Sequence, residues 1–253
     1  MIYYCHRLST TLQRVQLCVS LGSDYYSVLE IPPQSIENVV KKLTDRYRLD
    51  LSKDQKYRRR KAGLSVADLV VYYDQQHAKY RLFLLATIGS DAMDWAKAGY
   101  ENLQPISVAR LPFLDQYELV YLTRKKSAML NKGRSSHAPE TWTWRMTDVQ
   151  YEKMRKYLEK SVVMYPNNPL PLKQAVHILG RVPGLRGIRQ QIGTLWAHTL
   201  KNWKHSYKAE MPYTLNLHFM RMMGNDLETL AELVEYVRRK AAANAEKSGQ
   251  QGV

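Results

Sequence analysis

Lysine and arginine, the side chains best suited to bind phosphate, are concentrated in three segments of the chain. Residues 41–61 hold ten of them against three acidic residues, residues 124–145 hold six against one, and residues 186–208 hold five against none. The three segments carry a net charge of +17 and the whole chain +15, so the remainder is nearly neutral at −2. Cations grouped in this way neutralise phosphates and release condensed counterions. The clustering therefore favours a nucleic acid as partner over a merely solvated surface.

The first basic segment ends in the run from Lys53 to Lys61, which we predict to be a loop. Arginine binds phosphate with two hydrogen bonds and stacks on bases, and Tyr57 adds an aromatic face among the charges. A nuclear-import signal or an electrostatic tether is an alternative function for this run. The predicted contacts to nucleic acid are Lys53, Lys56, Tyr57, Arg58, Arg59, Arg60 and Lys61.

The third basic segment is predicted to be one long helix, from about residue 185 to residue 207, with two distinct faces. Its apolar stripe recurs every three or four residues and should face the core; the stripe comprises Ile188, Ile192, Leu195, Trp196, Thr199 and Trp203. A second stripe places Gly193 and Ala197 among cations, which would let a sugar-phosphate backbone approach the helix. The predicted contacts are Arg186, Arg189, Gln190, Lys201, Lys204 and Lys208. A solvated basic face is the alternative interpretation.

The second basic segment supports two hypotheses. Residues 124–139 form a predicted glycine-punctuated loop that would become ordered on binding, with contacts from Arg124, Lys125, Lys126, Lys132 and Arg134. In the alternative, the protein is a metal-independent nuclease acting on RNA. His137 would then be the general acid or base, and Lys132 or Arg134 would stabilise the charged phosphorane.

Familiar catalytic motifs are missing from the sequence. It has no P-loop, no G-x-G-x-x-G, no G-x-S-x-G, no H-E-x-x-H and no cysteine pair at metal-ligand spacing. Asp68, Asp91, Asp94 and Glu118 have no spacing that indicates a two-metal nuclease. We therefore expect no metal and no cofactor. The leading hypothesis is a non-catalytic component of a nucleoprotein complex that binds phosphate backbones independently of sequence, with DNA slightly favoured over structured RNA.

The elements that must position these residues follow an α+β pattern. Strands are predicted at residues 25–31, 66–73, 80–87, 117–123 and 141–146, and helices from Pro33 and within 91–103. This order, βαββαβ with an extra strand, matches the ferredoxin-like sandwich. An all-helical C-terminal region should follow from residue 147.

The predicted domains are an α+β nucleic-acid-binding domain at 1–146, a helical domain at 147–240 and a disordered tail at 241–253. The last helix has an apolar stripe, Leu227, Leu230, Leu233, Val234 and Val237. In a third hypothesis this stripe docks on other protein subunits of an assembly, which makes the protein an adaptor.

The expected compartment is the cytoplasm, or the nucleus in a eukaryote, without a membrane partner. We identify no signal peptide and no stretch of roughly 18 apolar residues. Cys5 and Cys18 are too few for a disulfide framework, and each should be a small buried residue.

Overall fold

The computed structural model describes residues 1–91, 102–123, 140–217 and 227–250, the last seven of them by their backbone alone. The structure is mixed α/β, and the described residues form eight strands and seven α-helices. The chain divides into two compact units: Met1–Ala109 with Met222–Val253 is the first, and Arg110–Arg221 is the second. The boundary predicted at residue 146 thus falls inside the second unit.

From the N-terminus to the C-terminus, the described elements are β1 (Ile2–Cys5), α1 (Leu8–Ser20), β2 (Tyr25–Ile31), a 3₁₀ turn (Pro33–Ser35), α2 (Ile36–Tyr47), α3 (Lys53–Lys61), β3 (Val66–Asp74), β4 (Lys79–Thr87), β5 (Gln104–Pro105), β6 (Pro112–Phe113), β7 (Tyr117–Leu122), β8 (Thr141–Met146), α4 (Asp148–Met164), α5 (Leu170–Arg181), α6 (Arg186–Tyr207) and α7 (Leu230–Gln250).

The first unit is built on a mixed five-stranded sheet of order β1-β3-β4-β2-β5. β1 and β3 are parallel, and the other neighbouring pairs are antiparallel. Because side chains alternate along a strand, Leu69 and Val71 point to one face and Val70 to the other. The face that carries Leu69 and Val71 packs against α2 and α7. On the opposite side of β3, α1 packs with Leu12 and Val15 fully buried.

α7 completes the core of the first unit. Leu233 is fully buried among the sheet residues, and Leu230, Val234 and Val237 pack around it. The backbone amide of Leu227 donates a hydrogen bond to the carbonyl of Tyr4, which ties this segment to β1. The apolar stripe of the last helix is therefore covered by the protein's own sheet. The helix also continues to Gln250, so residues 241–250 are helical where the sequence predicted a disordered tail.

The ferredoxin-like arrangement is not confirmed. The predicted strand at 25–31 and the hairpin of 66–73 and 80–87 are present as β2, β3 and β4. However, β7 and β8 pair with β6 in a separate three-stranded sheet of the second unit, whereas the prediction joined all strands in one sheet. β1 and α1 were not predicted. The helix predicted within 91–103 lies largely outside the described residues, which omit 92–101.

The second unit packs α6 closely against β8. A Cβ atom at Gly187 would lie 2.5 Å from the carbonyl oxygen of Trp144, so only glycine allows this approach without a shift. The Gly187 amide donates to Thr143 Oγ1 at 3.2 Å. One helical turn later, Gln191 accepts from the Met146 amide at 2.7 Å and donates to the Met146 carbonyl at 3.0 Å. The C-terminal helical region predicted from residue 147 is confirmed by α4, α5, α6 and α7.

No helix in the described ranges combines the length and the apolar character that crossing a membrane requires.

Candidate nucleic-acid interface

The positive charge of the protein belongs mainly to the second unit. That unit holds 19 Lys and Arg against 7 Asp and Glu, a net charge of +12. The first unit also holds 19 basic residues, but 16 acidic residues reduce its net charge to +3. A polyanion would therefore be attracted chiefly to the second unit.

α6 presents the predicted cationic face to solvent. The predicted apolar stripe is on the inner side, where Ile188, Ile192 and Leu195 are fully buried. On the opposite side, the exposed residues are Gln190, Gly193, Ala197, Lys201, Lys204 and Lys208. A helix rises 1.5 Å per residue, so Lys208, the cap residue directly after α6, lies about 10 Å along the axis from Lys201.

None of these three lysines forms an ion pair with a described residue, although Glu210 lies near Lys204 and Lys208. Every ion pair that the described part of the second unit forms involves other side chains. In contrast, Arg186 and Arg189 at the start of α6 are half-buried and already interact with other groups of the protein. The lysine-bearing half of α6 is thus the more accessible part of the predicted interface.

The run from Lys53 to Lys61 forms a helix, α3, and the prediction of a loop was wrong. A capping box starts the helix: Ser52 Oγ accepts from the Gln55 amide at 3.2 Å, and Gln55 Oε1 accepts from the Ser52 amide at 2.8 Å. The sequence carries this signal in the spacing of Ser52 and Gln55. The helix therefore determines on which side of α3 each charged side chain lies.

Three of the predicted α3 contacts instead bind other groups of the first unit. Lys56 is only 4% exposed, and its Nζ donates to Asp68 Oδ1 at 2.6 Å and to a backbone carbonyl of β3 at 2.5 Å. Burial lowers the pKa of Lys56, although Asp68 opposes that shift. Arg59 forms an ion pair with Asp91, and Arg60 lies 3.5 Å from Asp68. Lys56 is therefore inaccessible to nucleic acid, which corrects that prediction.

The remaining α3 residues form an exposed face. Tyr57 is 67% exposed, and Lys53 and Lys61 lie one turn before and one turn after it, with Arg58 beside it. An accessible aromatic ring between cations is an arrangement that can stack on a base while it neutralises phosphates. The prediction that this run binds phosphates and stacks on bases therefore applies to its exposed residues only.

Comparison with models of known families, with curated proteins and with solved structures gives no match to this chain.

The predicted loop contacts and the alternative catalytic residue lie outside the described residues. They are Arg124, Lys125, Lys126, Lys132, Arg134 and His137. In the part of the chain that the structure does describe, no three His, Cys, Asp or Glu side chains are grouped as metal ligands would be.

A cluster around Asp74 at the end of the β3–β4 hairpin was missed in the sequence. Asp74 is 2% exposed, and its carboxylate accepts hydrogen bonds from His77 Nδ1 at 2.6 Å, Arg81 Nε at 3.1 Å and the Gln76 amide at 3.0 Å. Arg81 also pairs with Glu30 at 2.5 Å, which joins the hairpin to β2. Burial opposes ionisation, but these donors outweigh it and lower the pKa of Asp74.

Replacing Asp74 by Asn should destabilise the protein at neutral pH and much less in acid. The pKa of Asp74 is lower in the folded state than in the unfolded state, where it is about 3.9. Its contribution to the free energy of unfolding is therefore fully present above the unfolded-state pKa and is lost as the pH falls through the folded-state pKa. Urea unfolding at neutral pH and near pH 3 measures the difference from the wild type. Asp50→Asn, at an exposed position, is the control. An equal loss of unfolding free energy at both pH values would contradict the lowered pKa of Asp74.

Proposed function

We propose that the protein binds nucleic acid through its second unit, with Lys201 and Lys204 of α6 and Lys208 at its C-terminal cap on the phosphate backbone. The observation that carries this proposal is the row of exposed lysines without acidic partners among the described residues, in the unit that holds +12 of the +15 net charge. A row of cations that form no ion pairs within the protein gains most from a polyanion, because each phosphate contact releases counterions.

The geometry of α6 suits contact with a backbone rather than base readout. Gly193 and Ala197 have small side chains, so a nucleic-acid strand can lie close to the middle of the exposed face while the lysines reach its phosphates. Lysine acts on phosphate as a flexible point charge and fixes no base identity. Binding by this face is therefore independent of the base sequence, and the same phosphate contacts can form with DNA and with RNA.

Other predicted contacts extend the same function. In the first unit, the exposed face of α3 offers Lys53, Tyr57, Arg58 and Lys61 for a second contact. The cations between Arg124 and Arg134 belong to the strongly basic second unit by sequence. The protein would serve as a non-catalytic component of a nucleoprotein complex.

Removing Lys201, Lys204 and Lys208 should weaken binding by about 3–100-fold, since exposed ion pairs contribute roughly 0.2–1 kcal/mol each. The triple variant Lys201→Ala, Lys204→Ala, Lys208→Ala is compared with wild type by fluorescence anisotropy, using labelled duplex DNA, single-stranded DNA and an RNA hairpin. The lysines are exposed, so thermal stability should change little.

A matched control removes three exposed cations from the first unit: Lys41→Ala, Lys42→Ala and Arg238→Ala. This variant has the same net charge as the α6 variant and should retain nearly full affinity. If both variants lose affinity equally, total charge and not α6 determines binding. If the wild type binds none of the three probes, the proposal fails.

A further inference from the structure

α5 and the segment 211–217 that follows α6 line an open cleft of about 800 Å³ within the second unit. Lys173, His177 and Arg181 line it at four-residue intervals, so they lie on one face of α5 about 6 Å apart along its axis. All three side chains are exposed, and none joins an ion pair with a described residue. One wall of the cleft is therefore a short row of accessible nitrogen groups.

The other wall carries Pro212, Tyr213, Thr214 and Asn216 from the segment 211–217. On α5, Gln174 lies next to Lys173 in the first wall, and Leu170 and Val176 add apolar surface to the cleft. The ring of Tyr213 meets the edge of Tyr165, with 6.4 Å between ring centroids, and Tyr165 packs on Trp203 at 4.7 Å. Tyr213 is thus half-buried against a hydrophobic cluster around the buried Trp203, and this packing fixes the position of its ring.

The segment also lies close against α5. A Cβ atom at Gly180 would be 3.2 Å from the Asn216 carbonyl oxygen, which is tighter than ordinary contact. The walls of the cleft are therefore set by packing of the protein itself. Its size lies within the range of sites that take small molecules or single ligand groups.

We infer that this cleft takes an unstacked nucleotide of a single-stranded nucleic acid, with its phosphates toward Lys173 and Arg181 and its base against Tyr213. This inference rests on the proposed function. A cationic row opposite the Tyr213 ring and the Asn216 amide matches a nucleotide, which joins phosphates to a flat base with hydrogen-bonding edges. Bases in a duplex stay stacked inside the helix and cannot enter a cleft, so single strands are selected.

The test uses strands of about 20 nucleotides, a length that allows several contacts. Fluorescence anisotropy compares a single strand, the duplex of the same sequence, and a strand of equal length that carries abasic sugars. The wild type should bind the single strand about tenfold more tightly than either of the others, because stacking of a base contributes an energy of that size.

The double variant Lys173→Ala, Arg181→Ala should lose most of this preference while its duplex affinity changes by less than about threefold. Both positions are exposed on α5, so the fold should persist. Lys41→Ala with Lys42→Ala removes the same charge from the first unit and should keep the preference. Tyr213→Phe, which retains the ring, should keep it as well.

Equal binding of single strand, duplex and abasic strand would overturn the inference about the cleft and leave the proposed function standing. So would a double variant that weakens single-strand and duplex binding to the same extent. Absence of binding to every probe would overturn both.

Discussion

Replacing Leu233 by Asp should abolish the cooperative folding of the first unit. Leu233 is fully buried where α7 packs on the sheet, and an ionised carboxylate at that position would have no partner in an apolar core. Such a burial costs several kcal/mol, on the order of the total stability of a domain, which is about 5–15 kcal/mol. Circular dichroism and limited proteolysis would show the loss of structure.

Ala231→Asp is the matched control, because residue 231 lies exposed on the same helix. It should leave the thermal transition nearly unchanged, since surface changes are usually within about 0.5 kcal/mol. The pair also tests the adaptor hypothesis for α7. If Leu233→Asp folds normally and loses only assembly with another protein, the stripe is a docking surface and its packing in the core is not required for folding.

Replacing two glycines of α6 by alanine should change the stability of the protein in opposite directions. At Gly187 the added Cβ would meet the Trp144 carbonyl oxygen at 2.5 Å, a backbone atom that cannot move alone. Overpacking of this kind costs about 1–3 kcal/mol. At Gly193 nothing lies within 4 Å of the new Cβ, so the higher helix propensity of alanine should stabilise the protein by about 1 kcal/mol.

Thermal unfolding of both variants would measure these effects on the second unit. A change of 1 kcal/mol shifts the melting temperature by roughly 4–8 °C in a domain of about 100 residues. Gly187→Ala should therefore melt lower than the wild type and Gly193→Ala higher. A Gly187→Ala protein as stable as Gly193→Ala would show that α6 does not approach β8 as closely as the structure indicates.

The features that could be predicted from the sequence are those encoded by local patterns. Alternating and β-branched residues located β2 and the β3–β4 hairpin, because a strand repeats every two residues. The 3.6-residue period of α6 correctly separated its buried side from the side that exposes Lys201 and Lys204. Exposure of a helix face follows from its period, so this half of the candidate interface was predictable.

Two of the errors concern pairings between residues far apart in the chain, and a third is local. Assignment of β7 and β8 to a second sheet depends on partners that no local pattern identifies. α3 was missed because its charged composition resembles a solvated loop, although the capping box at Ser52 marks its start. The burial of Lys56 follows from Asp68, an acidic residue within an apolar strand that requires a cation once it is buried.

The cleft in the second unit was also beyond prediction. It depends on the course of residues 211–217, which form neither a helix nor a strand, and on their packing against α5. The stripe Lys173, His177 and Arg181 is visible in the sequence, but only that packing places Tyr213 opposite it.

The salt dependence of nucleic-acid binding tests the central claim most directly. Each neutralised phosphate contributes about 0.7 to the slope of log K against log salt concentration for a single strand and about 0.9 for a duplex. The wild-type affinity should fall steeply with salt, and removing Lys201, Lys204 and Lys208 should reduce the slope by about 2 to 3, as expected for three lost phosphate contacts. A flat wild-type dependence, or the same slope in the triple variant, would contradict binding of the phosphate backbone by α6.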